Sequence, residues 1–323
     1  MRPISLYREI LQRNLKDPNS LLMLGTWFIL SSFNKIRDKV EISRIRTKTS
    51  RRYVKTEVNE FQMYLDPLDE GISSELLIYK RREPYSTEYL RSFLREGDLA
   101  IDIGSNIGYY VLLESKYIKN GTIYAIEPIE SNFNLLKMNL DLNGAINVRT
   151  FRYAISDKRE KVKMYVCDKS NWASLYEHPM EQPKAEIEVE AMTLDDFVEE
   201  EMGGVMPTFI RMDVEGGEYR IFNGMERVLE NSDHLRIFLE LHPFLSEEDR
   251  VFDFLDRLED DFYLRKAFLE PPMHYYRNVR LITEIRKRLG IPPIGEIRGY
   301  EELREAIQSW PFDGYRLFLE SRE

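Results

Sequence analysis

Asp98-Leu99-Ala100-Ile101-Asp102-Ile103-Gly104-Ser105-Asn106-Ile107-Gly108-Tyr109-Tyr110 decides the fold: an apolar run ends in a glycine-rich turn, and a helical pattern starts directly after it. A strand feeding such a turn brings backbone N–H groups to a helix N-terminus at the strand's carboxyl end, where α/β proteins bind nucleotide-like ligands. The dinucleotide fingerprint G-x-G-x-x-G would need Gly at 106 and Gly or Ala at 109, and this chain has Asn106 and Tyr109. Those side chains crowd a pyrophosphate, which demotes NAD and FAD. The next apolar run ends Ile123-Tyr124-Ala125-Ile126-Glu127-Pro128, placing an acid 25 residues after Asp102 to accept hydrogen bonds from two ribose hydroxyls. A third run leads into Ala154-Ile155-Ser156-Asp157, where the backbone and Asp157 flank an adenine ring. Together these segments imply an adenosine ligand without a required diphosphate.

Outward from that turn, short runs rich in Val, Ile, Phe and Tyr alternate with helical patterns, the signature of a mostly parallel sheet covered on both faces. Strands are predicted near 99–103, 122–126, 148–153, 208–212, 235–241, 262–268 and 315–319, which gives a Rossmann-like α/β sheet of seven strands. Helices are predicted over 107–119, 131–143, 193–201, 218–231 and 246–259, with Ser131, Thr193 and Ser246 as N-caps. Residues 161–166 and 186–190 alternate polar and apolar like an extra β-hairpin, and the loop 167–184 between them covers something. A second insertion near 271–306 holds a helix around 277–289 and the turn-rich run 290–299. The division is a mainly helical leader, 1–90, and an α/β domain, 91–323, with insertions near 161–190 and 271–306.

At 323 residues, 43% hydrophobic, 12% aromatic and 32% charged, the chain lies in the globular range. Its one cysteine, Cys167, excludes an internal disulfide and a multi-cysteine metal site, and its four histidines show no paired spacing; this reads as a reducing, cytoplasmic compartment. The net charge of −10 disfavours nucleic acid as a partner. The charge is uneven, because 35–55 carries nine Lys/Arg against two Asp/Glu, a local +7 that leaves −17 elsewhere. The first twenty residues lack the apolar stretch of a signal peptide. The uncharged segment 18–34 is too short to span a bilayer, so it either packs in the protein or touches a membrane surface or partner, and peripheral membrane contact through 18–55 follows as a reading.

The chain resembles the FkbM-like S-adenosylmethionine-dependent methyltransferases, a branch of the class I methyltransferase fold. The resemblance rests on 97–110, on Glu127-Pro128 with Asn132 and Leu135, on Thr193-Leu194-Asp195-Asp196-Phe197, and on Ile210-Arg211-Met212-Asp213-Val214-Glu215-Gly216-Gly217-Glu218 with Gly224, and it covers about 75–245. It implies a cradle in which Asp102 supports the turn, Gly104, Ser105, Asn106 and Gly108 pass under the methionine moiety of S-adenosylmethionine, and Glu127 holds the ribose. Pro128, Asn132, Ile155, Asp157 and Asp213 complete the predicted cofactor set. The family mostly methylates hydroxyls, which implies a small-molecule or glycan acceptor.

Methyl transfer needs an acceptor oxygen aligned with the departing sulfur and a place for its proton. His242, at the end of the fifth strand on the same side as Glu240, is the preferred proton acceptor, with Asp213 and Glu240 as the other catalytic candidates. Glu215, on the turn after Asp213, is a candidate base, metal ligand or cofactor contact, or simply a charge complementing a helix start. Acids and one His at one edge suit Mg²⁺, but no metal is predicted. Asn171-Trp172-Ala173-Ser174-Leu175 stands where the family has a small, Ser-rich stretch; Trp172 and Ser174 join Glu215 as substrate-contact candidates. Two other classes stay open: a non-catalytic adenosine-binding or membrane-peripheral protein, and, less favoured, an RNA methyltransferase or a nicotinamide dehydrogenase.

Overall fold

The computed structural model describes residues 18–49, 52–176, 182–243, 248–310 and 314–322. The chain opens with a long helix α1 (Pro18–Lys48), a hairpin β1 (Val54–Val58) and β2 (Phe61–Leu65), and helices α2 (Ile72–Tyr79) and α3 (Pro84–Phe93). The hairpin is not part of the mainly helical leader expected over 1–90. What makes it is alternation: Val58, Phe61, Met63 and Leu65 face inward, and the chain reverses through Asn59 in the left-handed region at φ +50°.

The main sheet follows as β3 (Leu99–Ile103), α4 (Tyr109–Tyr117), β4 (Thr122–Ile126), α5 (Glu130–Asn143) and β5 (Val148–Phe151). An insertion β6 (Ala154–Ile155), β7 (Glu160–Val166) and β8 (Ala185–Met192) leads to α6 (Leu194–Met202) and β9 (Phe209–Met212). Then come α7 (Glu218–Asn223), α8 (Glu226–Asn231), β10 (Arg236–Leu241), α9 (Glu248–Asp261), β11 (Phe262–Leu269), α10 (Val279–Arg288), β12 (Gly295–Ile297), α11 (Gly299–Ser309) and β13 (Tyr315–Ser321). The strands lie in the order β12-β11-β13-β10-β9-β3-β4-β5. From β5 to β10 neighbours are parallel, while β13 runs antiparallel between β10 and β11. The seven predicted strands are all present, and the eighth is β12 at one edge, formed inside the stretch read as turn. The extra hairpin pairs β7 with β8 antiparallel, and β6 joins it to make a separate three-stranded sheet.

Two other boundaries differ. α5 starts at Glu130 with Ile129 at its N-cap, so Ser131, read as the cap, falls inside the first turn. The helix expected over 218–231 breaks at Gly224, where a Cβ would stand 2.2 Å from the Ser156 carbonyl oxygen; close approach of the insertion ends one helix and starts another. The N-cap reading at Ser246 and part of the covering loop, 177–181, lie outside the described residues.

Alternation sorts the sheet's two faces. Ile101, Ile103, Ile210, Met212, Ile237, Leu239, Leu317 and Leu319 pack into one apolar cluster. The opposite face carries Ala100, Phe209, Phe238 and Phe318, but also Asp102, Arg211, Glu240 and Arg316, all buried. These charges are direct cross-strand neighbours, Asp102 opposite Arg211 and Glu240 opposite Arg316, so register alone pairs them at 3.3 Å and 2.5 Å. A buried charge without a partner costs several kcal/mol, which makes this register hard to slip. The leader covers this face: its Val58, Leu65, Leu76 and Phe93 share a core with Tyr110, Val111 and Leu136.

Candidate active site

One cavity opens at the carboxyl ends of β3, β4 and β9, with about 880 Å³ of atom-free space counted out to its mouth. Its floor is the glycine turn: Gly104 sits at φ +83°, and a Cβ there would stand 1.9 Å from the Asp213 carbonyl oxygen, so only glycine lets the ends of β3 and β9 approach. Asn106 holds a left-handed φ of +48°, and its N–H donates to Glu127 Oε2 at 2.8 Å. Glu127 Oε1 accepts from the Ile129 N–H at 2.9 Å. The Asn132 side chain adds a third donor to the Glu127 carboxyl, which keeps lone-pair capacity for ligand hydroxyls. Burial pushes its carboxyl up to about 7, with the two backbone donors opposing. Tyr153, Ala154 and Ile155 make one wall, and Ile72 and Arg82 from the leader reach the same cavity.

The cover is fastened from several directions. Asp69 accepts from the Ser170 N–H at 2.8 Å and from its hydroxyl at 2.9 Å, while the side-chain amides of Asn106 and Asn132 donate to the Ser170 carbonyl at 3.2 and 3.3 Å. Asn171, Ala173 and Leu175 then line the cavity. Tyr109 fixes the leader to the turn, its hydroxyl donating to the Arg82 carbonyl at 2.9 Å and accepting from Asn59 Nδ2 at 2.8 Å.

Beside the cavity lies a dense charge cluster. Asp213 Oδ2 accepts from Arg211 Nη2 at 2.8 Å, and burial together with Glu240 pushes its carboxyl up to about 6 against the pull of Arg211. Glu215 occupies a left-handed φ of +53°, an uncommon place for a non-glycine residue, and burial and the neighbouring acids push it up to about 8. His242 has Nδ1 at 2.9 Å from Glu218 Oε1, with Nε2 at 3.3 Å from Glu240 Oε1 and 3.5 Å from Glu215 Oε2. Burial disfavours its charged form, yet the three carboxylates reverse that and hold its pKa well above the ordinary value. The charged form of His242 is thereby favoured, which weighs against the proton-acceptor role read for it from sequence. Burial likewise opposes ionisation of Glu240, but Arg316 and His242 hold it well below the usual carboxylate range. Ligand atoms of Asp213, Glu215 and His242 lie within 4.8 Å of one another, close enough to share a cation; in this arrangement the imidazolium supplies the positive charge.

The Methyltransferase FkbM domain family model matches residues 102–267. The chain belongs to the FkbM methyltransferase family. A curated relative, "Methyltransferase 1" of Beauveria bassiana, is 24% identical over 143 residues, which is 39% of this chain; the chain spans 57% of that relative's length. Among solved structures, a transferase from Pyrococcus horikoshii aligns at a TM-score of 0.46 and 12% identity, covering 85% of this chain and 73% of that one. An rRNA methylase from Streptococcus thermophilus aligns at 0.41 and 12% identity, covering 74% and 95%.

In this FkbM-family chain the cavity wall includes Gly104, Ser105, Asn106, Glu127, Pro128, Asn132, Ile155, Asp213 and Glu215. Asp102 is fully buried beneath the turn, facing Arg211, and Gly108 starts α4 at φ +90°. Five residues stand elsewhere, among them Glu240, which is absent from the cavity wall. Asp157 pairs with Arg220 at 2.7 Å and lines a separate surface pocket. Trp172 lies under the Lys169 ammonium at 3.0 Å, and Ser174 is buried with its hydroxyl donating to the Glu215 carbonyl at 2.6 Å; their neighbours line the cavity instead. His242 is absent from the wall. Sequence reading gave no role to Arg82, Tyr109, Tyr110 or Arg211, which do line it. Arg211 had a signal, since a charge inside the apolar strand Phe209-Ile210-Arg211-Met212 demands a buried partner. Arg82 had none, because it arrives from the leader.

Proposed function

We propose that this FkbM-family chain binds S-adenosylmethionine in the cavity and methylates a hydroxyl of a small polyhydroxylated or glycan acceptor. The observation that carries the reading is one cavity lined by the glycine turn, by a buried acid at the end of β4 held by two backbone N–H groups, and by Asp213 across the turn. The residues fit the cofactor: the apolar wall of Tyr153, Ala154 and Ile155 suits an adenine, Glu127 the ribose, and the stretch from Gly104 to Asn106 the methionine end. S-adenosylmethionine held by these residues would supply an electrophilic methyl group from its sulfonium, with sulfur as the leaving group.

The chain's own residues orient and take a proton. Asp213, pushed up to about 6, is ionised at neutral pH yet basic enough to accept the hydroxyl proton. Arg211 fixes its carboxylate and Asp102 fixes Arg211, so the acceptor side of the site is held by the cross-strand pairing itself. His242, Glu240 and Arg316 hold charge around it as positioning groups. Glu215, whose carboxyl burial pushes up to about 8 while His242 pulls it down, stands on the cavity wall near Asp213.

Transfer of a labelled methyl group from S-adenosylmethionine to a panel of sugars and polyols tests the reading. Asp213→Asn should lower turnover by about 10²- to 10⁴-fold while cofactor affinity changes little. Labelling of amines or of RNA but of no hydroxyl would replace the O-methyltransferase reading. An unchanged turnover for Asp213→Asn would remove Asp213 as the proton acceptor.

A further inference from the structure

Helix α1 presents two different faces. Inward, Trp27 packs on Trp310 and Tyr275 with ring centroids 5.9 and 6.4 Å away, Asn34 Nδ2 donates to the His274 carbonyl at 3.0 Å, and Ile42 is buried. Its two acids turn the same way: Asp38 is 2.9 Å and Glu41 3.4 Å from Arg277, and the Tyr79 hydroxyl donates to Asp38 at 2.7 Å. Outward, Leu22, Ile29, Phe33, Ile36 and Val40 recur at heptad spacing, and Leu22, Ile29, Phe33 and Ile36 are each 61 to 71% exposed. At about 100° per residue these five side chains fall in an arc of roughly 60°, with Arg37 and Arg44 along one border and Lys35 and Lys39 toward the other. All four cations are exposed, and none is paired with an acid among the described residues. Arg46, by contrast, spends its Nε on the Pro67 carbonyl at 2.6 Å.

We propose that this face of α1 docks the protein on an anionic bilayer surface, with the apolar arc in the acyl boundary and Lys35, Arg37, Lys39 and Arg44 at the headgroups. An in-plane amphipathic helix has this distribution: apolar centre, cationic borders, and acids turned away from the apolar face. No described helix is long and apolar enough to cross a membrane, so the contact is peripheral. Charge selects this occupant. A second copy would bring the same four cations against themselves with no acid to meet them, and a phosphate backbone leaves five apolar side chains with nothing to bury against. The inference stands independently of methyl transfer, because it uses no residue of the cavity.

Co-sedimentation of the full chain with extruded vesicles tests it, comparing pure phosphatidylcholine with an equimolar mixture of phosphatidylcholine and phosphatidylglycerol. The native chain should partition onto the anionic vesicles and scarcely onto the zwitterionic ones, and added salt should release it. A variant combining Lys35→Gln, Arg37→Gln, Lys39→Gln and Arg44→Gln should lose binding by about 100-fold or more, at roughly five-fold per charge. Ile29→Ser with Phe33→Ser should lose it by about 10-fold or more through buried apolar area. Both variants change only exposed side chains, so circular dichroism and the thermal midpoint should stay at the native values. Equal binding to both vesicles, or binding that either variant leaves intact, would overturn the proposal. So would a dimer by sedimentation velocity that Ile29→Ser with Phe33→Ser dissociates without lipid, or a single-stranded RNA complex that this apolar variant leaves unweakened.

Discussion

At the residue scale, the chain places ionisable groups where water cannot solvate them and uses neighbours to decide which keep a proton. Glu114 on α4 is fully buried against Asp102, and no donor among the described residues reaches its carboxyl oxygens. Burial, with Asp102 adding, raises its pKa well above the ordinary value, so the folded chain keeps a proton that the unfolded chain releases above about pH 4.5. A folded pKa above the unfolded one means that stability from this group is present below the unfolded pKa and is lost as pH rises. Glu114→Gln keeps the shape and removes the titration. Denaturant midpoints should show the variant more stable by about 1–3 kcal/mol at pH 7.5 and close to the native chain near pH 4.5. A variant less stable at both values would mean that Glu114 is ionised and paired. The same reasoning separates His242 from Asp213. Both stood at strand ends as proton acceptors in the sequence, and only the three-dimensional ring of Glu215, Glu218 and Glu240 shows the histidine surrounded by acids that favour its charged form.

At the element scale, the turn between β3 and α4 depends on two strand ends meeting without a side chain between them. Gly104→Ala would add a methyl where the Asp213 carbonyl oxygen stands 1.9 Å away, at a φ of +83°. Backbone must move, and the variant should lose about 2 kcal/mol or more of stability and bind adenosine ligands at least tenfold more weakly. Thermal unfolding beside a binding isotherm checks this; native affinity would show that the approach of β9 is not needed. Elements were legible where periodicity was long: the strand alternation in 99–103, 122–126 and 235–241 and the N-cap Thr193, whose hydroxyl accepts from the Asp196 N–H at 3.0 Å, read directly from the sequence. The hairpin of β1 and β2 and the short edge strand β12 were not, because each owes its shape to a partner distant in sequence or to a turn too short for a pattern. The break at Gly224 had the same cause, since it is the Ser156 carbonyl oxygen that forbids a side chain there.

At the scale of the whole molecule, the leader and the α/β sheet build one object. Ile72 and Arg82 reach the cavity from the leader, Asn139 on α5 accepts from the Tyr64 N–H at 2.7 Å, and Asp69 holds the cover at Ser170. The cradle residues of the glycine turn and Glu127 were readable because one strand, one turn and one helix carry them. The cavity's other walls were not, because they come from segments with no motif of their own that tertiary packing delivers. The central claim is that this cavity takes S-adenosylmethionine on Glu127, and the direct measurement is calorimetric titration of the full chain with S-adenosylmethionine, S-adenosylhomocysteine and NAD at several pH values. Both sulfur compounds should bind and NAD should not. Affinity should rise as pH increases toward about 7, by up to about tenfold per unit, because the buried Glu127 must give up its proton to accept two ribose hydroxyls. Glu127→Gln should bind more weakly and lose that dependence. Failure of both sulfur compounds to bind, or an identical profile for Glu127→Gln, would contradict the account.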